Sequence, residues 1–155
     1  MKKYEFTGEV KLWLGRTLHR IRACISFGTV SAGDLGGWIE KEENLDHSGN
    51  AWVYGDAWVY GDARVCGDAW VYGNARVCGD AHYLAIGPIG SRNDVTTFFR
   101  TKELKIFVKC GCFRGDIEAF AAQVKETHGD STHAKAYLLA IELAKSRIDL
   151  REEKT

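Results

Sequence analysis

The densest cluster of polar side chains lies at residues 87–97, which read GPIGSRNDVTT. Glycines leave backbone N–H groups accessible, hydroxyl and amide side chains add donors, and Arg92 offers a planar fork for phosphate or carboxylate. The segment matches neither the Walker nor the dinucleotide-binding fingerprint, so a plain turn with local side-chain bonds is the alternative. The predicted ligand-binding residues of this segment are Ser91, Arg92, Asn93, Asp94, Thr96 and Thr97.

A second candidate is CGCFRG at residues 110–115, where Phe113 beside Arg114 could hold an anion or stack on a base. Thiolates together with downstream histidines would suit zinc, but the two-residue gap that shapes a metal knuckle is missing. Cys112 could instead be a catalytic thiol with His128 as its base. Two structural cysteines and a helix-terminal histidine are the preferred interpretation. We therefore predict Phe113 and Arg114 as ligand-binding residues, with no metal site and no catalytic residue.

The elements that must position these residues begin with a repeat. From residue 49 to residue 84 the chain repeats every six residues, as GNAWVY, GDAWVY, GDARVC, GDAWVY, GNARVC and GDAHYL. Such units cannot bury their apolar faces alone, so a stacked solenoid is predicted. Gly with Asp or Asn suits a corner, while alternation turns Ala and Val inward and the large residues outward. The pattern resembles the hexapeptide-repeat family, which implies a left-handed parallel β-helix with three hexads per coil.

Three hexads per coil would stack residues eighteen apart and sort the outward side chains into three faces. One face would carry four aromatic residues, and an apolar patch of this kind normally meets a partner. Hexapeptide-repeat proteins are typically homotrimers packed through such faces, so the resemblance implies a homotrimer. Coverage by a neighbouring segment of the same chain is the alternative. The predicted interface residues are Trp52, Tyr54, Trp70 and Tyr72.

The chain divides around the repeat into three predicted regions. Residues 1–32 alternate loosely and predict an N-terminal β cap, residues 33–84 the β-helix, and residues 85–155 a C-terminal domain. The expected fold class is thus mainly β, a left-handed parallel β-helix followed by a small α+β domain.

Local patterns predict the order of elements in the C-terminal domain. Residues 95–100 and 105–110 are rich in β-formers and predict a hairpin. Asp116 can cap a helix to about residue 127, and Ser131 or Thr132 can start a second one to about residue 150. The domain is therefore predicted to be ββαα.

Composition excludes several classes of partner. Lys plus Arg number 21 and Asp plus Glu number 21, so no global positive field favours a nucleic acid polymer or an anionic membrane. No apolar run is long enough to span a bilayer, and no secretory signal pattern is present. Five cysteines without a paired framework indicate a reducing cytosol.

Several motifs flank the hexads: DLGGWIE before them, IGPIGSRND with TTFF after them, then CGCFRG and KETHGD. With these motifs, nearly the whole chain resembles a family of small proteins carried by bacteriophages and prophages. It implies a role in the cytoplasm of an infected bacterial host. One recurrent activity among small phage proteins of no evident catalytic design is interference with host defence, including oligomers that sequester nucleotide signals.

Three hypotheses for function follow, and binding is preferred over catalysis. The first is a non-enzymatic homotrimer that sequesters a small anionic, nucleotide-type ligand to counter host defence, without a cofactor. The second is a protein-protein inhibitor of a host defence factor, anchored by Trp58 and Tyr60. The third is a hexapeptide-repeat acyltransferase that uses His47 or His82, although two clear coils are few to hold an acyl-CoA.

Overall fold

The computed structural model describes residues 2–79, 82–91 and 93–151. Strands dominate the first two thirds of the chain, and two helices close it. The strands are β1 (Tyr4–Trp13), β2 (Arg16–Ala23), β3 (Leu35–Ile39), β4 (Trp52–Val53), β5 (Trp58–Val59), β6 (Trp70–Val71), β7 (Arg76–Val77), β8 (Tyr83–Ile89), β9 (Asp94–Arg100), β10 (Ile106–Cys110) and β11 (Phe113–Asp116). The helices are a short 3-10 turn at Glu42–Asn44, then α1 (Ile117–His128) and α2 (Thr132–Arg147).

The N-terminal strands join the repeat in one mixed sheet. Its order is β1-β2-β3-β5-β7, antiparallel from β1 to β3 and parallel from β3 to β7. The hairpin between β1 and β2 turns through Leu14 and Gly15, both with positive φ. The N-terminal strands therefore extend a sheet that continues through the repeat.

Within the repeat, the predicted stacking of residues eighteen apart is confirmed. Trp52 pairs in parallel with Trp70, and Trp58 with Arg76. The repeat glycines turn the chain with positive φ, as predicted for corners; these are Gly49, Gly55, Gly61, Gly67 and Gly73. The Ala and Val side chains of the hexads point inward and are buried; they are Ala51, Val53, Ala57, Val59, Ala63, Val65, Ala69, Val71, Ala75 and Val77.

The predicted fold class, a left-handed parallel β-helix, is wrong. In the described residues the strands form three separate sheets, of which one is mixed, one antiparallel and one a parallel pair, and none is closed or a solenoid. The repeat strands are only two residues long and divide between two of these sheets. The physical reason is that antiparallel strands from before and after the repeat pack against it. These strands cover the outward side chains of the repeat, so further coils are not needed to bury them.

The C-terminal region also departs from the predicted ββαα order. The expected hairpin is present as β9 and β10, but β8 and β11 extend it to a four-stranded antiparallel sheet of order β11-β10-β9-β8. Strand β8 begins inside the last hexad, two residues before the strand and turn that the sequence predicts at residues 85–91. The two helices are confirmed, and their caps are Asp116 and Ser131, which accept hydrogen bonds from Ala119 N and Ala134 N.

Strand β9 separates the two main apolar cores. Phe99 on one face packs into the repeat core, with its ring 5.0 Å from that of Tyr72. Phe98 on the other face packs against the helices, 6.1 Å from the ring of Phe120. The C-terminal sheet thus lies between the repeat and the helices. Among the described residues, neither helix has the length and apolar character needed to cross a membrane.

Lys3 is a buried cation that ties the N-terminus to the repeat. Its Nζ donates to Ala51 O at 2.7 Å and lies 4.9 Å from the centre of the Phe27 ring. Burial lowers the pKa of Lys3 from 10.5 to about 8, partly opposed by the charge of Asp46. Lys3 therefore loses its proton in the folded state well before it does so in the unfolded chain.

This shift predicts a pH dependence of stability. Between pH 8 and 10 the unfolded state holds more protons at Lys3, so the free energy of unfolding rises with pH, by at most about 1.4 kcal/mol per unit. Lys3→Met removes this slope. Urea unfolding of both proteins between pH 8 and 10 should show the wild type gaining stability relative to the variant as the pH rises. The same dependence of the unfolding free energy on pH in both proteins would contradict the shifted pKa.

Candidate functional site

Three segments that are distant in sequence meet around an open cavity of about 380 Å³. They are the β1–β2 turn, the outward side of β5 and β7, and the β9–β10 turn. We call this cavity the aromatic–arginine cleft. It is lined by Trp13, Leu14, Trp58, Tyr60, Arg76, Arg100, Thr101, Lys102 and Leu104.

Aromatic rings form one wall of the cleft and fix one another. The Trp13 ring lies 5.5 Å from that of Trp58 and 5.3 Å from that of Tyr60, both edge to face. Tyr60 is fully buried and packs with Leu18 and Trp38. Alternation along the repeat strand turns Trp58 and Tyr60 away from the inward Val59, as the hexad pattern predicted. The wall is therefore preformed rather than assembled around a ligand.

Cations form the other wall. The Arg76 guanidinium lies 3.7 Å from the centre of the Trp58 ring, and its Nη1 donates to Ala75 O at 2.9 Å. Arg100 is buried, and its Nε donates to Arg76 O at 2.9 Å. Lys102 is exposed, and its backbone N–H donates to Asn74 O at 2.9 Å, which anchors the turn to the repeat. Two arginines and a lysine thus line one cavity.

Among the described lining residues, the charged side chains of the cleft are all cations. Among the described residues that line it, none is aspartate or glutamate. Burial lowers the pKa of Arg76, while Tyr60 and the carboxylates of Glu103 and Asp56 act in the opposite direction. A partly desolvated guanidinium without a carboxylate in its cavity gains most from a bound anion.

Trp58 supplies an unused donor. Its Nε1 is buried and has no hydrogen-bond partner among the described residues. A buried N–H group without a partner costs about 1–3 kcal/mol. Trp58 thus lines the cleft with a ring that is stacked against Arg76 and an indole N–H that stays buried.

Both turns at the mouth of the cleft place leucine in the left-handed region. Leu14 has φ 48° and Leu104 has φ 61°, values that favour glycine. Leu14 is 55% exposed, so burial of its side chain does not explain why a leucine occupies this position. Strained positions of this kind concentrate at binding sites. Two apolar side chains are thus held at the rim of a cationic cavity.

The residues predicted from the polar segment at 87–97 lie elsewhere and take separate roles. Thr96 and Thr97 are buried; Thr96 Oγ1 donates to Cys110 Sγ at 3.4 Å, and Thr97 Oγ1 accepts from Trp70 N at 3.0 Å. Asn93 lies in the turn with φ 48°, and Asp94 Oδ1 accepts from Val95 N. Arg92 lies outside the described residues.

The remaining ligand-binding candidates separate on the two faces of β11. Phe113 packs 5.2 Å from Phe120 and, together with Ser91, lines a cavity beside α1. Arg114 faces the repeat, where its guanidinium lies 4.8 Å from the Trp70 ring. Alternation along the strand sends these neighbours to opposite sides. The structure therefore brings Ser91 and Phe113 together and places Arg114 apart from them.

The four predicted interface residues are in part covered by the chain itself. Trp52 is 1% exposed and packs against Phe27. Tyr72 packs against Phe99, and its hydroxyl donates to Val108 O. The Tyr54 ring stacks on the Trp70 ring with 4.5 Å between the ring centres, and part of the Tyr54 side chain stays exposed to solvent. Coverage by neighbouring segments, the alternative at sequence level, thus accounts for Trp52 and Tyr72, while trimerisation stays a prediction.

The histidines of the repeat region have structural partners. The His47 ring stacks 4.1 Å from that of Tyr4, and its Nδ1 accepts from Lys3 N. His82 Nδ1 accepts from Cys78 N. In the described part of the chain, no group of three or more His, Cys, Asp or Glu side chains could hold a metal ion.

The sequence contained only part of the signal for the cleft. Arg76 holds a hexad position that carries tryptophan in three of the six units and arginine in two, and Trp58 and Tyr60 were predicted to face outward. Trp13, Arg100 and Lys102 reach the cleft only through the fold. No protein-family model and no curated protein matches the chain, so the site stands on its geometry.

The strained turn gives a matched test at two leucines. Leu14→Gly relieves a left-handed leucine and should raise the free energy of unfolding by about 0.5–1 kcal/mol. Leu12→Gly, at an 80% exposed position within β1, should lower it by a similar amount, about 0.5–1 kcal/mol. Urea unfolding followed by tryptophan fluorescence measures both. Equal losses in the two variants would show that Leu14 is not strained.

Proposed function

We propose that the protein is a non-enzymatic binding protein that takes a small anionic, nucleotide-type ligand in the aromatic–arginine cleft. The observation that carries the proposal is the convergence of Arg76, Arg100 and Lys102 on a cavity walled by aromatic rings. Guanidinium groups suit phosphate oxygens, and aromatic faces suit bases.

The size and surroundings of the cleft support this ligand class. A cavity of about 380 Å³ lies within the range of small-molecule sites. Its apolar surface comes from the tryptophans and the two rim leucines, which would contact a planar base. Its polar surface comes from cations, which would contact phosphate or ribose oxygens. A single ligand with an anionic end and a planar end would contact both the polar and the apolar surface of the cleft.

The chemistry of the lining favours capture over turnover. The described lining residues supply hydroxyl groups from Tyr60 and Thr101, but no carboxylate, imidazole or thiol that could act as a general base or nucleophile. Strong anion contacts without a group to move protons stabilise a bound ligand rather than a transition state. Sequestration is therefore the activity we infer.

The biological setting of the proposal follows from the resemblance to small phage proteins. In the cytoplasm of an infected bacterium, a protein that binds nucleotide-type signals would lower their free concentration. This removes the stimulus of a host defence pathway without destroying the signal. The capacity of such a system depends on protein concentration and affinity, since each site holds one ligand.

A protein-protein inhibitor is the second candidate, and one observation favours it. Strand β1 is the edge of its sheet and carries Val10 and Leu12 with 49% and 80% of their surfaces exposed. An apolar edge strand can pair with a strand of another protein. Leu14 joins this row to the rim of the cleft, so a host protein could cover both.

Binding is tested by calorimetry with ATP, cyclic AMP and cyclic di-AMP as probes. At least one should bind, with affinity falling as salt rises, because the contacts are between charges. Arg76→Gln should weaken binding about tenfold or more, since it removes a charge-assisted contact. Arg64→Gln is the matched control, because Arg64 holds the same hexad position and is exposed outside the cleft. Absence of binding to every probe, or equal affinity in both variants, would contradict the proposal.

Native mass spectrometry of the purified protein tests the predicted homotrimer and any ligand retained from the cell. The expected spectrum shows three chains, with extra mass that denaturation releases as a small molecule of nucleotide size. A single-chain mass would exclude the trimer without affecting the cleft, because all its lining residues come from one chain.

A further inference from the structure

A second cavity, of about 460 Å³, lies between the β10–β11 hairpin and the two helices. We call it the thiol pocket. It is lined by Ser91, Cys110, Cys112, Phe113, Phe120, Gln123, Val124, Thr127, His128 and Tyr137. It shares no lining residue with the aromatic–arginine cleft, so its chemistry is independent of the function proposed above.

Hydroxyl groups converge on one sulfur of this pocket. Thr96 Oγ1 donates to Cys110 Sγ at 3.4 Å. The Tyr137 hydroxyl also lies beside Cys110 and Ser91. Burial raises the pKa of Tyr137 and the neighbouring Cys110 raises it further, while Ser91 acts in the opposite direction. Protonated hydroxyl groups at a sulfur stabilise negative charge as it develops there.

The position of Tyr137 is fixed by close packing. Its hydroxyl lies so near Gly90 that a Cβ at that residue would stand 1.8 Å from Oη, and Gly90 has φ 78°. Glycine is thus required both for the turn and for the approach of the phenol. The ring of Tyr137 is held 5.7 Å from that of Phe120 and 5.6 Å from that of His128.

The walls of the thiol pocket are aromatic and largely neutral. Phe113 and Phe120 lie 5.2 Å apart and form one side. Among the described lining residues there is no lysine, arginine, aspartate or glutamate. Such a pocket favours an uncharged, planar molecule, in contrast to the cationic cleft.

We propose that the thiol pocket captures a small uncharged α,β-unsaturated carbonyl compound through a covalent bond to Cys110 Sγ. The sulfur attacks the β-carbon, the S–C bond forms, and the electron pair of the C=C bond moves to the α-carbon through the enolate. The thiol proton, released to water, is matched by a proton that the α-carbon takes up. All atoms of both reactants remain in the adduct, and no oxidant or reductant takes part.

The test uses N-phenylmaleimide, an uncharged planar acceptor of this class, with the full-length protein. Peptide mapping by mass spectrometry follows the modification of each cysteine at substoichiometric reagent. Cys110 should be modified first, about tenfold faster than the exposed Cys24, which serves as an internal reference. Modification of Cys24 or Cys112 ahead of Cys110 would overturn the proposal.

Two variants test the role of the hydroxyl groups. Thr96→Val and Tyr137→Phe keep the shape of each side chain and should each slow the modification of Cys110 about fivefold or more, leaving Cys24 unchanged. Unchanged Cys110 rates in folded variants would show that these donors play no part. A further measurement needs no variant: a carboxylate-bearing maleimide should lose the preference for Cys110 in the wild type. Equal preference for charged and neutral reagents would contradict a site of neutral, apolar character.

Discussion

The packing of β9 on both of its faces is the constraint on which the rest of the molecule depends. Phe99 enters the repeat core and Phe98 the helix core, so one strand joins two apolar clusters that would otherwise be separate. Thr97 Oγ1 accepts from the backbone of Trp70, and Arg100 Nε donates to the carbonyl of Arg76, which fixes the strand against the repeat. The same strand supplies a donor to the thiol pocket from Thr96 and a wall of the aromatic–arginine cleft from Arg100. Both candidate sites therefore depend on residues of one strand.

The local features of the repeat and of the helix ends could be predicted from the sequence, because each depends on residues that are neighbours in the chain. The glycine corners, the inward alanine and valine positions and the helix caps at Asp116 and Ser131 are all present. The fold class could not be predicted in this way, since periodicity does not say what covers the outward side chains. Phe27 covers Trp52 from one end of the chain, and Phe99 covers Tyr72 from the other. Coverage of this kind depends on contacts between distant segments, which the six-residue pattern does not contain.

The candidate sites also combine local features that the sequence predicts with contacts that only the fold creates. Hydroxyl and amide residues near position 90 were predicted to bind a ligand because they are polar, yet Thr96 and Thr97 use their hydroxyl groups inside the chain. Phe113 and Arg114 are adjacent in sequence but face different cores. The cleft combines residues from a turn near position 14, two repeat strands and a turn near position 102, so only the folded chain brings its charges together. The part that the sequence did show was the outward position of Trp58 and Tyr60 in the hexad pattern.

The parallel pairing of residues eighteen apart has a consequence for how this chain tolerates insertions and deletions. Trp58 meets Arg76 because the chain between them has a fixed length of three six-residue units. Loss of one unit between them would leave the inward Ala and Val pattern unbroken but bring a different outward residue beside Trp58. The core would accept such a change, whereas the guanidinium of the cleft would be lost. The spacing of the repeat is therefore constrained by the outer surface more than by the core.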